Sequence, residues 1–334
     1  VVYKLPIEFM LKNMVVLSGT RSTGSLHLGN YFGAVENWVN LQNKYDCYFF
    51  IADWHSLTTG YEDTNNYVYN INEVVMDLYA SGLDADKCNI FLQSKIQNHA
   101  ELHLLLSMIT PLSWLERCPT YKDQLAQLSE KDIRTYGFLG YPCLMASDIL
   151  IYRADAVPVG EDQLPHLEVT REIARRFNHI YTEVFPEPKA LLTKSKVLPG
   201  LDGRKMSKSY DNTILLKDKD DVLRTKIMSM ITDPARIKKT DPGHPDVCSV
   251  FAFHKVFNEN EVPSICDACK KGEIGCVACK KNLYQKVTEF MKPIHERRSE
   301  IESKPELIKK ILEKGNENAK IKTDETMKLV RKAM

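Results

Sequence analysis

Val15-Val16-Leu17-Ser18-Gly19 runs into Thr23-Gly24-Ser25-Leu26-His27-Leu28-Gly29-Asn30, and the reading of this stretch sets the fold. The first five residues are apolar, partly β-branched and closed by glycine, the pattern of a short buried strand. The turn after them is punctuated by glycine and carries an imidazole. Residues 30–44 then place Phe32, Val35, Val39 and Leu41 at helical spacing. Cys47-Tyr48-Phe49-Phe50-Ile51-Ala52-Asp53 is a second buried strand, so the segment closes a β-α-β unit. Residues 67–81 read as a helix, 88–93 as a third strand, Ala156-Val157-Pro158-Val159-Gly160 as a further strand and 166–177 as a helix. This alternation predicts an α/β fold, a Rossmann-like doubly wound parallel sheet. Beyond residue 217 the pattern changes. Lys, Glu, Leu and Ile recur at helical spacing over 221–231 and 283–332, with few strand signals. The expectation is a catalytic domain over 14–217 and a C-terminal α-helical domain over 218–334. Residues 1–13 are set aside as an extension upstream of Met14.

The chain has 334 residues, 43% hydrophobic and 27% charged, which allows two soluble domains. No stretch approaches the roughly 18–20 apolar residues that cross a bilayer, and the first residues lack the order of a secretory signal. Basic and acidic residues nearly balance, 45 against 44, so bulk charge announces no nucleic-acid partner. Residues 280–334 differ, with 15 basic and nine acidic residues. That excess suits a phosphate backbone, though a solvated helical surface explains the count equally well. Nine cysteines, an odd number without a signal, argue for free thiols in a reducing compartment, and the expected location is the cytoplasm.

Binding phosphate takes backbone N–H groups, a helix N-terminus and mobile cations. Gly24 and Gly29 let a ligand approach the backbone, His27 can donate to a phosphoryl oxygen, and Asn30 stands where the helix begins. Gly203-Arg204-Lys205-Met206-Ser207-Lys208-Ser209 is a flexible, cationic loop with two hydroxyls. Its lysines would neutralise a departing pyrophosphate without covalent chemistry. Alone, the glycine turn fits any strand-turn-helix junction and the basic loop fits a solvated surface. Together they describe a site that takes ATP phosphates from two sides. The G-x-x-x-x-G-K-[ST] loop of the P-loop ATPases is absent.

These two segments resemble the "HIGH" turn and "KMSKS" loop of the class I aminoacyl-tRNA synthetases. Asn30 replaces the second histidine of the turn, and a Gly29-Asn30-Tyr31 ending is similar to the tryptophan-type enzymes. Tyr141-Pro142-Cys143-Leu144-Met145-Ala146-Ser147-Asp148, Val157-Pro158-Val159-Gly160-Glu161-Asp162-Gln163 and His166-Leu167-Glu168-Val169-Thr170-Arg171 narrow the resemblance to the bacterial tryptophanyl branch, over nearly all of 14–334. An indole is a flat apolar body with one donor. Met145, Val157 and Val159 are its expected walls and Asp148 its acceptor, which would penalise side chains lacking the N–H. Without the resemblance the valines and Met145 are ordinary core, whereas Asp148 in an apolar segment needs a partner in either case. His166 and His179 read as structural or exposed.

The resemblance implies the remaining assignments. Gly19, Tyr141 and Gln163 complete the tryptophan site. Arg21, Ser22, Thr23, Gly29, Asn30, Gly160, Glu161, Asp162, Val197, Lys205, Met206, Ser207, Lys208 and Ser209 surround ATP and its Mg²⁺. His27, Lys205 and Lys208 are catalytic. Two departures stand out: Leu17 where relatives have an aromatic, and Arg21-Ser22-Thr23 where many bacterial relatives have Gln-Pro-Ser. The implied reaction joins L-tryptophan to ATP as tryptophanyl-adenylate and passes it to tRNA(Trp). It implies a homodimer whose helical domain reads the anticodon, with no DNA or membrane partner. The tyrosyl enzymes share both signatures, but a phenol donates and accepts and so calls for paired polar groups. A non-catalytic RNA-binding relative would have no use for the lysine loop.

Cys266-x2-Cys269-x6-Cys276-x2-Cys279 has metal-ligand spacing, read most simply as tetrahedral zinc. Cys248 is a fifth candidate. A subset of the tryptophanyl branch carries a [4Fe–4S] cluster on a distant cysteine followed by C-x6-C-x2-C. That resemblance implies Cys248, Cys269, Cys276 and Cys279 as ligands with Cys266 spare, and leaves zinc on the four later cysteines open.

Overall fold

The computed structural model describes residues 12–119, 121–122, 134–192, 196 and 198–334. Five parallel strands form one sheet in the order β3-β2-β1-β4-β5. They are β1 (Val15–Arg21), β2 (Asp46–Ala52), β3 (Asn89–Leu92), β4 (Ala156–Val159) and β5 (Lys189–Leu192). Side chains alternate across the sheet as the pleat requires. Val16, Phe49, Ile51 and Ile90 enter one core; Val15, Leu17, Tyr48, Phe50, Phe91 and Val157 enter the other. Burial on both faces explains why the strands read as continuous apolar runs. The edge strand β5 escapes that reading because Lys189 and Leu192 are exposed.

The helix after the signature turn comes in three parts: Leu28–Asn30, a π-helical turn Tyr31–Val35, and Glu36–Leu41, together α1. Helices α2 (Asp53–Leu57), α3 (Tyr67–Ala80), α4 (Asn98–Ser107), α5 (Leu112–Glu116), α6 (Tyr136–Leu150) and α7 (Leu164–Ile180) complete the region around the sheet. Trp38 of α1 stacks on Phe49 of β2, with centroids 4.9 Å apart. The segment beyond β5 is helical as expected: α8 (Asp220–Ser229), α9 (Ser249–Phe257), α10 (Val262–Lys270), α11 (Cys276–Glu302) and α12 (Pro305–Ala333). These helices do not stand apart from the sheet. The long α11 packs on α3, and α12 lies along β3. A Cβ on Gly315 of α12 would come within 1.9 Å of the Ile90 carbonyl, so only glycine permits this approach. Asn316 Oδ1 then accepts from the Leu92 N–H at 3.0 Å, serving a polar group that the sheet edge would leave open. Among the described residues no helix is long and apolar enough to cross a membrane.

Candidate functional site

The strand order reverses between β1 and β4, and crevices in open parallel sheets form at such switch points, beyond the carboxyl ends of the strands. A cavity of about 660 Å³ opens there. It gathers Gly19 and Arg21 from β1, Asn30 from α1, Met145 and Asp148 from α6, Val157, Val159, Gly160, Asp162 and Gln163 from β4 and the turn after it, and Lys205 from the basic loop. Residues as far apart in sequence as Leu17 and Lys205 thus line one space. Leu17, Phe50, His55 and Pro158 line it as well, and sequence reasoning did not assign them to it.

Asp148 is fully buried at its inner end. Its Oδ1 accepts from Gln93 at 2.8 Å and from His99 Nδ1 at 2.6 Å, and its Oδ2 faces His55 Nε2 at 2.7 Å. Burial alone would raise its pKa, but the His55 and His99 partners outweigh it and hold the carboxyl at about 2. A carboxylate only accepts, so His99 presents Nδ1–H to it and its Nε2 takes the Tyr152 hydroxyl at 3.0 Å. Oδ2 has one protein partner and is the oxygen with acceptor capacity left. The walls beside it are Met145, Ile149, Val157 and Val159.

Tyr141 does not line the cavity directly. Its hydroxyl meets His166 Nε2 at 2.7 Å, His166 Nδ1 meets Gln163 Oε1 at 3.1 Å, and Gln163 Nε2 donates to Asp162 Oδ2 at 2.7 Å. His166 is buried and bonds two predicted site residues, Tyr141 and Gln163. His179 is exposed.

The signature turn is built around His27, whose Nδ1 accepts from the Asn30 N–H at 3.2 Å while Asn30 Oδ1 accepts from the His27 N–H at 3.1 Å. This reciprocal cap starts α1. It also fixes the tautomer, since a neutral imidazole accepting at Nδ1 carries its proton on Nε2. Burial, aided by the Lys208 charge, lowers the His27 pKa to about 4, so the ring is a neutral donor at working pH. A Cβ on Gly29 would sit 2.9 Å from His27 Nδ1. Glycine there is a steric requirement of the imidazole.

The basic loop docks on this turn. Lys208 Nζ donates to the carbonyls of Thr23 and Gly24, each at 2.9 Å. Burial lowers its pKa to about 8. Asn212, which sequence reasoning missed, braces the loop: its Oδ1 accepts from the Ser207 N–H at 2.8 Å and its amide donates to Asp202 and the Lys205 carbonyl. Met206 is buried in the core and anchors the loop, so its side chain does not face the cavity. Ser22 is likewise turned inward, its N–H and hydroxyl both on Ser56 Oγ at 2.8 and 3.0 Å. Arg21 donates to Thr59 Oγ1 at 2.5 Å, while its buried Nε has no partner among the described residues. Thr23, Glu161, Lys205 and Ser209 are exposed. Val197 lies outside the described residues.

The sequence belongs with known proteins on three counts. A family model for the class I tRNA synthetases (W and Y) matches residues 11–292. The tryptophan–tRNA ligase of Thermotoga maritima is 48% identical, over 96% of this chain and 99% of that protein; the one from Aquifex aeolicus is 43% identical at the same coverages. The chain belongs to the tryptophanyl-tRNA synthetases of class I. The solved tryptophanyl-tRNA synthetase of Campylobacter jejuni, complexed with ADP and tryptophan, superposes with a TM-score of 0.86 at 34% identity, covering 96% of this chain and 99% of that one. A tyrosyl-tRNA synthetase from Archaeoglobus fulgidus, at 19% identity and a TM-score of 0.65, shares the fold alone. The synthetase is a tryptophan–tRNA ligase: it activates tryptophan with ATP and charges tRNA.

The cysteines of the synthetase form a second cluster. Among the described residues no group of three or more His, Cys, Asp or Glu side chains stands as a metal site. Four thiols are nevertheless neighbours. Cys279 is pushed up to about 12 by burial and then by Cys248, Cys269 and Cys276. Arg236 Nη1 points at the sulfurs of Cys269 (3.7 Å) and Cys276 (4.0 Å).

Proposed function

We propose that tryptophanyl-adenylate forms in the cavity between β1 and β4. Asp148 takes the indole N–H, Met145, Val157 and Val159 flank the ring, Gly19 leaves room at the mouth, and Tyr141 and Gln163, ordered by His166, hold the α-substituents. ATP lies across Arg21, Thr23, Gly29, Asn30, Gly160, Glu161 and Asp162, with the backbone at Ser22 and Met206 and the loop groups Ser207 and Ser209 beside it. The observation that carries this reading is the convergence of Asp148, Arg21, Asn30, Gln163 and Lys205 on one cavity at the switch point. The carboxylate of tryptophan attacks the α-phosphorus and pyrophosphate leaves. No enzyme nucleophile is required, so catalysis is positioning and charge stabilisation. His27 donates through Nε2–H, and Lys205 and Lys208 receive the departing charge. Mg²⁺, bound with ATP, supplies further neutralisation of the phosphates. The terminal ribose hydroxyl of tRNA(Trp) then attacks the adenylate carbonyl, forming the aminoacyl ester as the acyl–phosphate bond breaks and AMP leaves with the hydroxyl proton released. The helical segment 218–334 is read as the anticodon side, in a homodimer working in the cytoplasm. Amino-acid-dependent ATP–pyrophosphate exchange tests this, with tryptophan and tyrosine in parallel. Exchange with tyrosine as strong as with tryptophan would reject the indole pocket.

We infer from the cysteine spacing that the second cluster takes a thiolate-bound iron–sulfur group, although the described side chains are not arranged as a metal site. Cys248, Cys269, Cys276 and Cys279 are the set that would hold it. The backbone at Gly243 closes on Cys269 so tightly that a Cβ would meet its Sγ at 2.5 Å. The Arg236 contacts suit sulfurs that carry negative charge. The distance of the cluster in sequence from the ATP motifs assigns it a structural or RNA-side part. Anaerobic purification with iron and sulfide analysis decides: Cys266→Ser should keep iron and Cys248→Ser should lose it. Stoichiometric zinc lost with Cys266→Ser would reverse the assignment.

A further inference from the structure

Behind the signature turn lies a buried charge cluster that the chemistry above does not use. Glu73 and Asp77 stand one turn apart on α3 and both face inward. Asp77 Oδ2 accepts from the Leu26 N–H at 2.6 Å, and Glu73 accepts from the Ser25 hydroxyl. The two residues before His27 are therefore fastened to two carboxylates. Arg298 of α11, 1% exposed, faces them from the C-terminal helices. Its Nη2 reaches both Glu73 oxygens at 3.0 Å, its Nη1 binds Asp77, and its Nε donates to Glu302 at 2.7 Å. Lys217 Nζ adds a second cation on Glu73 at 2.9 Å. Lys208 grips the same turn from its other side through the Thr23 and Gly24 carbonyls.

A buried ion cluster is a weak source of stability, because desolvation offsets most of its attraction. It is a strong source of position, because a planar guanidinium fork fixes the carboxylates it meets. Here those carboxylates hold backbone and hydroxyl of the turn that bears His27. None of Ser25, Glu73, Asp77 and Arg298 lines the tryptophan cavity.

We propose that Arg298 is a positioning residue for adenylate formation, aiming the His27 turn at the phosphates through Glu73 and Asp77. The proposal rests on the reading of that turn as the phosphate contact. It also makes the placement of α11 a determinant of the catalytic turn, so that the C-terminal helices and the adenylation site share one buried joint.

The test compares Arg298→Lys, Arg298→Met, Ser25→Ala and the Ser25→Ala/Arg298→Lys double variant. Readouts are thermal unfolding, tryptophan affinity by fluorescence, and kcat and KM for ATP in pyrophosphate exchange. In Arg298→Lys, tryptophan affinity should stay within about twofold while exchange falls by about 10- to 100-fold, the scale of a misplaced catalytic group. Arg298→Met should fall further, since lysine restores the charge without the fork. Ser25→Ala should fall in the same sense, and the double variant should be less than additive because both act through Glu73. A folded Arg298→Lys with exchange within about twofold of the parent overturns the proposal. So do additive effects, or a parallel loss of tryptophan affinity. Should Arg298→Lys fail to fold, Ser25→Ala decides alone, since it leaves every charge in place; parental exchange there overturns the proposal. His27→Ala separates the two readings. If His27→Ala keeps full exchange, the phosphate reading itself fails. If it loses exchange while Arg298→Lys does not, only the present inference fails.

Discussion

Asp148→Asn is the substitution that most directly probes the indole pocket. The carboxyl is held at about 2 against an ordinary 3.8. At 1.36 kcal/mol per pH unit that gap corresponds to a stabilisation on the order of 2 kcal/mol at neutral pH. The figure is an upper bound for the loss. In the variant the amide oxygen still accepts from Gln93 and His99, and His55 can switch tautomer to accept from the new NH₂. A loss of about 1–2 kcal/mol lowers Tm by about 1–3 °C in a chain of 334 residues. The sign of the pH dependence follows from the depressed pKa. The stabilisation is complete above about pH 4 and disappears as pH falls towards 2, so the two proteins should converge in stability over that window. Function should change more. The cavity then presents a donor where the indole N–H needs an acceptor, which costs about 1–3 kcal/mol, or roughly 5- to 150-fold in tryptophan affinity. Phenylalanine has no N–H and should lose little. Fluorescence titration and pyrophosphate exchange with both amino acids give the ratio. A folded Asp148→Asn with an unchanged tryptophan-to-phenylalanine ratio would refute the assignment.

Lys208→Ala should slow pyrophosphate exchange by about 100-fold, with tryptophan affinity unchanged; a loss confined to affinity would remove the lysine from the transition state. Because Lys208 is lowered to about 8, kcat/KM for ATP should fall as pH rises through about 8, and Lys208→Arg should move that limb to higher pH. An alkaline limb unmoved in Lys208→Arg assigns it to another group. Gly29→Ala should displace the His27 ring, given the 2.9 Å approach, and cut exchange by about 10-fold or more; parental kinetics in that variant would mean the ring has no fixed catalytic place.

Much of the catalytic region was legible because its signals are local. Val15-Val16-Leu17 and Cys47 to Ala52 are apolar on both faces, which only a covered parallel sheet requires, and the strands appear within two residues of their expected ends. The His27 turn and the lysine loop stood out as candidates because phosphate chemistry would use those residue types in that order. β5 was not legible. Four residues at a sheet edge, two of them exposed, carry no distinctive pattern. His55 and Gln93 were missed for a different reason. Each is a polar residue near a strand end, and only folding brings them to Asp148. Met206 shows the converse, a residue of the loop signature whose side chain turns out to be its anchor in the core.

The sequence by itself determined the α/β alternation and the helical C-terminal segment, and it offered the glycine turn and the basic loop as candidate phosphate contacts. Each of these is written in periodicity or in contiguous residue order. Only the tertiary structure decided which neutral tautomer His27 adopts, that the Asp148 carboxyl is depressed, and that the C-terminal helices meet β3 at Gly315 and α3 at Arg298. Those properties depend on burial and on partners up to about 225 residues away. A chain's local pattern can specify an element, but the electrostatics of a group are set by what the fold packs around it.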